Sequence, residues 1–86
     1  MASWELVIER RAQKALARIE KQDRDRIAKA IRELAQEPRP PGAKKLTARD
    51  AYRVRVGEYR VLYEIDGGRL VVLVVDVGHR REIYRR

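Results

Sequence analysis

The chain has no cysteine and a single histidine among its 86 residues. The first absence excludes disulfides and thiolate-rich zinc sites, and it makes a cytoplasmic address the default expectation. The second argues against a histidine-built metal site, so neither a metal nor another cofactor is expected. Long apolar runs are missing as well. The longest, LVVLVV at 70–75, is far too short to span a bilayer and reads as a buried strand. The opening MASWELVIERR lacks the apolar core and small-residue cleavage site of a signal peptide. No repeat, low-complexity tract or composition break divides the chain, so a single domain over 1–86 with one modest core is expected.

Acidic residues are also scarce, 13 against 21 Lys plus Arg, for a formal charge of +8. Sixteen of those cations are arginine and five are lysine. Such a surplus says nothing about fold, but it favours anionic partners, with nucleic acid or an acidic protein ahead of a membrane surface.

The apolar pattern supplies the fold. Trp4, Leu6 and Ile8 alternate with Glu5 and Val7, as in a short strand with one buried face. Ala12, Ala15, Leu16 and Ile19 then recur at helical spacing, with Arg11, Lys14 and Arg18 on the wet side. A turn around Lys21-Gln22-Asp23, with Asp23 as N-cap, leads into a second helix striped by Ile27, Ala30, Ile31 and Leu34. EPRPPGA at 37–43 breaks the helical part. Residues 52–56 and 59–65 alternate around a two-residue Gly57-Glu58 turn. Gly67-Gly68 reads as a second tight turn before an almost wholly apolar strand, expected to be covered on both faces. The predicted class is α+β, ordered β-α-α-β-β-β: a mostly antiparallel four-stranded sheet with a helical hairpin on one face.

The hairpin turn fixes a register. With Gly57-Glu58 as the loop, Arg55 faces Arg60 and Val54 faces Val61. Tyr52, Val54, Val61, Tyr63 and Ile65 then share the core face, while Arg53, Arg55 and Arg60 share the other. Like charges directly across a sheet are destabilising by about 0.2–1 kcal/mol, with no structural return. A solvated face is the plain alternative. Past the last strand, VGHRREIYRR brings His79, Arg80, Arg81 and Tyr84 within reach of the sheet's end, where convergence with the arginines is expected.

YRVRVGEYRVLYEI, the apolar strand and the closing VGHRREIYRR together resemble the RelE toxins of type II toxin–antitoxin modules, over essentially the whole chain. The resemblance implies an mRNA endonuclease that acts in the ribosomal A site, inhibits translation and is blocked by an acidic cognate antitoxin. Promoter DNA would be bound only through the toxin–antitoxin complex. It places the family's catalytic set on Arg53, Arg55, Arg60, Arg80 and Tyr84, with His79 credible beside them. Lys44, Lys45, Arg49 and Arg81 read as contacts to nucleic-acid backbone. This chain departs from the family pattern in having arginine, not lysine, at 53 and 55, a short segment between Arg80 and Tyr84, and no C-terminal helix beyond it.

Metal-independent RNA cleavage by the 2′-hydroxyl needs a base, charge stabilisation at the phosphorane, and an acid for the leaving 5′-oxygen. Arginine suits the second task because its planar fork grips phosphate bidentately and stays charged. For the same reason it is a poor base. Position favours Tyr84 for that role, with His79 as the alternative or a helper. Two other readings stand beside this one: a ParE-like inhibitor of DNA gyrase, and a non-catalytic basic module that binds nucleic acid.

Overall fold

The computed structural model describes residues 4–46 and 51–79. The elements run β1 (Glu5–Ile8), α1 (Arg10–Ala17), α2 (Lys21–Leu34), β2 (Lys44–Lys45), β3 (Ala51–Val56), β4 (Tyr59–Asp66) and β5 (Val71–His79). They form one five-stranded sheet in the order β1-β5-β4-β3-β2. Four contacts of β5 and β1 run parallel, Glu5↔Val71 to Ile8↔Val74, while the other pairings are antiparallel. The expected α+β class and helical hairpin hold. The strand count is corrected from four to five because Lys44 and Lys45 add an edge strand too short to show any periodicity, and the sheet is mixed because β1 runs parallel to β5.

Both helices lie on one face. Ala12 and Ile19 around α1, and Ile27, Ile31 and Leu34 of α2, are buried against Tyr52, Val61, Tyr63, Ile65, Val72, Val74 and Val77 of the sheet. Among them Tyr52, Val61, Tyr63 and Ile65 are the alternation class that the hairpin register assigns to the core. α2 starts earlier than its polar residues suggest. Glu20 is the N-cap residue and makes no side-chain cap hydrogen bond, while Asp23 sits in the first turn. There its carboxylate faces the positive end of the helix dipole, which explains its place without a capping role.

Two consecutive residues of the loop after α2, Pro38 and Arg39, staple the layers. Tyr63 Oη donates to the Pro38 carbonyl at 2.7 Å in the interior, and the Tyr63 ring stacks on Tyr52 at 5.8 Å. Arg39 Nε donates to Tyr52 Oη at 3.0 Å. Burial, with Tyr52 adding and Arg39 opposing, pushes the Tyr63 phenol up to about 12. Since an exposed tyrosine ionises near pH 10, the fold favours the protonated phenol, and this contribution is fully present below pH 10. It is lost as pH rises from about 10 to about 12. Wild-type stability should therefore fall more steeply over that range than that of Tyr63→Phe, as read by urea midpoints at successive pH values; parallel curves would contradict it.

The turn after β4 is longer than expected. Gly67 to Leu70 form a four-residue loop, in which Asp66 Oδ1 accepts from the amides of Gly68 and Arg69, both at 3.1 Å. Leu70 closes it at φ 57, a left-handed conformation that costs a side-chain-bearing residue about 1–2 kcal/mol. Leu70 is also exposed, so Leu70→Gly loses little packing. That variant should gain about 0.5–1 kcal/mol, measured as a higher Tm; a lower Tm would show that Leu70 contributes packing.

Candidate nucleic-acid interface

The hairpin pairs as its turn requires: Val56↔Tyr59, Arg55↔Arg60, Val54↔Val61, Arg53↔Leu62 and Tyr52↔Tyr63. Gly57 at φ 60 supplies the positive φ that such a two-residue loop needs. Arg53, Arg55 and Arg60 consequently share the helix-free face of the sheet. The new strand extends the row, because Lys44 lies directly opposite Arg53. Lys45 lies opposite Tyr52, which turns it to the helix side and separates it from the cluster. Arg55 and Lys44 are exposed and Arg53 is half-buried. Arg60 is only 7 % exposed, unusual for a residue type that is mostly found at the surface. Across the sheet from it on β5 is Gly78, which adds no side chain to compete for space.

The convergence expected for His79 does not occur, and the reason is a β-bulge. Leu62 pairs with Asp76 but Tyr63 pairs with Val74, so Val75 is an extra residue on β5. The insertion flips the parity of the strand's last three residues, Val77 to His79. Val74 and Val77 both face the core, and His79 follows Val77 to the helix side. There it lies opposite Tyr59, with the two rings meeting edge to face at 5.7 Å and 81°. An unbroken strand would have delivered the imidazole to the arginine face. An all-apolar run gives no sign of such a shift, so sequence reasoning had nothing to detect. Nor is β5 covered on both faces, since Val71, Leu73 and Val75 are half-buried on the helix-free side. Arg49, Arg80, Arg81 and Tyr84 lie outside the described residues.

A second constellation joins cations read in the sequence as the wet face of α1, with docking to RNA the alternative, to rings that the sequence did not place beside them. Arg11, Lys14 and Arg18 of α1 and its following turn line a cavity of about 590 Å³ together with Tyr59, Asp76 and His79. Asp76 is buried, accepts from the Val77 amide at 2.9 Å and lies 3.5 Å from Arg11 Nε. The helical spacing of the three cations was legible, but the ring pair facing them depends on the bulge.

A five-stranded sheet with a helical hairpin on one side and a cationic opposite face defines the toxin fold of the RelE/ParE superfamily. The model of the family described as ParE toxin of type II toxin-antitoxin system, parDE, matches residues 6–84. The chain belongs to this family and is a type II toxin. Solved structures agree. The isolated E. coli RelE toxin is 26% identical, with a TM-score of 0.80 and coverage of 96% of this chain and 93% of that one. RelE in the archaeal RelE–RelB complex from Pyrococcus horikoshii OT3 is 26% identical at TM-score 0.80, covering 93% and 98%. The RelB–RelE antitoxin–toxin complex from Methanococcus jannaschii gives 27% identity and a TM-score of 0.73 over 92% and 95%. No curated protein sequence matches. No described helix is long and apolar enough to cross a membrane.

Proposed function

We propose that this toxin is a ribosome-dependent mRNA endonuclease, in which the helix-free face of the hairpin receives the scissile phosphate. The observation that carries this reading is the crowding of Lys44, Arg53, Arg55 and Arg60 on one sheet face, with Arg55 directly opposite a buried Arg60. Such a cluster presents a row of guanidinium and ammonium groups of the kind that grips phosphate. In this reading the 2′-oxygen of the RNA attacks phosphorus, the bond to the 5′-oxygen breaks, and a 2′,3′-cyclic phosphate is left. The arginines stabilise the charge on the phosphorane's oxygens. Tyr84 takes the 2′-proton, and Arg80 steadies the leaving oxygen as it acquires a proton. His79, turned to the other face, is the weaker candidate for the base. Orientation of the codon on the ribosome supplies much of the remaining acceleration. By analogy with the RelE–RelB complexes, a cognate antitoxin is the protein partner, acting in the cytoplasm.

In vitro translation followed by primer extension on the mRNA tests the proposal. Codon-phased cuts that require ribosomes should appear with the wild type, and Arg55→Ala and Tyr84→Phe should weaken them by about 10²-fold or more. The matching family model carries the parDE description, which favours one other reading, gyrase poisoning. Intact mRNA accompanied by trapped gyrase–DNA adducts would establish that reading and refute ours.

A further inference from the structure

The cavity beside α1 is built for a ligand of its own. Arg11, Lys14 and Arg18 stand three and four residues apart, which puts them along one side of the helix. Against these three cations the lining contributes one carboxylate, Asp76, already 3.5 Å from Arg11. Counting Arg11, Lys14 and Arg18 against Asp76, three positive charges less one negative leave +2. Lys14 and Arg18 are both exposed. Opposite them lie Tyr59 and His79, each half-buried, so part of each ring stays accessible. The volume, about 590 Å³, falls within the range of small-ligand sites. Cations facing aromatic rings across a concave site form the arrangement that holds single-stranded nucleic acid, the phosphate on the charges and the base against the rings. A duplex keeps its bases stacked away from such a floor. An acidic peptide would use the cations but would leave the rings without a partner.

We infer that this groove binds a nucleotide of single-stranded RNA, with its phosphate at Lys14 and Arg18 and its base against Tyr59 and His79. The inference rests on the proposed action on RNA and adds a second contact on the opposite side of the sheet. Tyr59 and Arg60 are consecutive and face opposite ways, so the groove and the arginine cluster meet at the sheet end that carries the Gly57-Glu58 turn. A strand rounding that end touches both. The bulge at Val75 creates this geometry by aiming His79 away from the arginines, a re-aiming that such irregularities perform beside functional sites.

The test uses the full chain and a fluorescent single strand of about ten 2′-O-methyl nucleotides, which lacks the attacking hydroxyl and survives binding. The double variant Lys14→Ala/Arg18→Ala should bind about tenfold more weakly, and the slope of log affinity against log salt should shrink by about 1.4, two contacts at about 0.7 each. His79→Ala should weaken binding without changing that slope. A 5-iodouridine in the strand should photocrosslink to Tyr59 or His79. Circular dichroism establishes that the variants fold. Unchanged affinity and slope in the double variant overturn the inference, as do crosslinks confined to the Arg53–Arg60 face. So does a polyglutamate peptide that binds in a Lys14- and Arg18-dependent way where RNA does not. If cleavage by the wild type is codon-phased but the groove variants bind normally, the groove fails alone. If cleavage is absent while the groove variants lose RNA, the nuclease reading fails and the groove stands.

Discussion

Arg60→Ala should reduce ribosome-dependent mRNA cleavage by about 10²- to 10³-fold, the loss typical of removing one preorganised stabiliser of transition-state charge. Arg60 is the least exposed of the four cations on its face, so its guanidinium is the one held most rigidly by its surroundings. Preorganisation of this kind raises the value of a charge at the reacting phosphate, because little reorientation is needed when the phosphorane forms. Arg60→Lys keeps the charge but loses the planar fork, and should retain activity intermediate between wild type and alanine. Stability must be measured beside rate. Removing Arg60 relieves its repulsion with Arg55, worth about 0.2–1 kcal/mol, and offsets part of the packing lost with the side chain. A small change in Tm together with a large loss of cleavage is therefore the expected result. Wild-type cleavage by a folded Arg60→Ala protein would remove the basis for the nuclease reading.

The second large effect concerns folding alone. Ile27 is fully buried in α2, in one core cluster with Val61 and Tyr63 of β4. Ile27→Ala should cost about 2–5 kcal/mol, combining lost transfer energy with a cavity that the sheet cannot close. For a domain of this size, total stability is expected in the range of about 5–15 kcal/mol. Each kcal/mol corresponds to about 4–8 °C in Tm, so thermal unfolding should move down by at least about 8 °C. A shift of only a few degrees would mean that α2 is not docked on the sheet as described. Because the substitution lies on the helix side, cleavage measured well below the new Tm should stay near the wild-type rate.

Where local rules fix the geometry, the chain announced it. Gly57-Glu58 set the hairpin register, and with it the arginine face, because a two-residue loop leaves no freedom in pairing. The α2 stripe read correctly because Ile27, Ile31 and Leu34 keep helical spacing. Three features stayed hidden for physical reasons. The start of α2 lacked a cap side chain that hydrogen-bonds the first turn, so Asp23 was a false signal. The loop after β4 uses Leu70 at positive φ, where the sequence offered two glycines as more natural choices. The bulge at Val75 sits where every neighbour but Asp76 is apolar, so no alternation exists to be broken. That last omission determined the candidate site, since it decides which face receives His79. The aromatic half of the groove was hidden with it.

The position of β5 in the sheet also constrains how the toxin comes into being. Its hydrogen bonds join β1 on one side and β4 on the other, and the pairing Glu5↔Val71 spans 66 residues, 71 minus 5. Contacts this distant in sequence must wait until both ends of the chain exist. Before residue 71 has been synthesised, β1 has no neighbour and Tyr59 no imidazole beside it. During its own translation the nascent polypeptide therefore lacks the assembled sheet, which closes only once β5 is free to enter between β1 and β4.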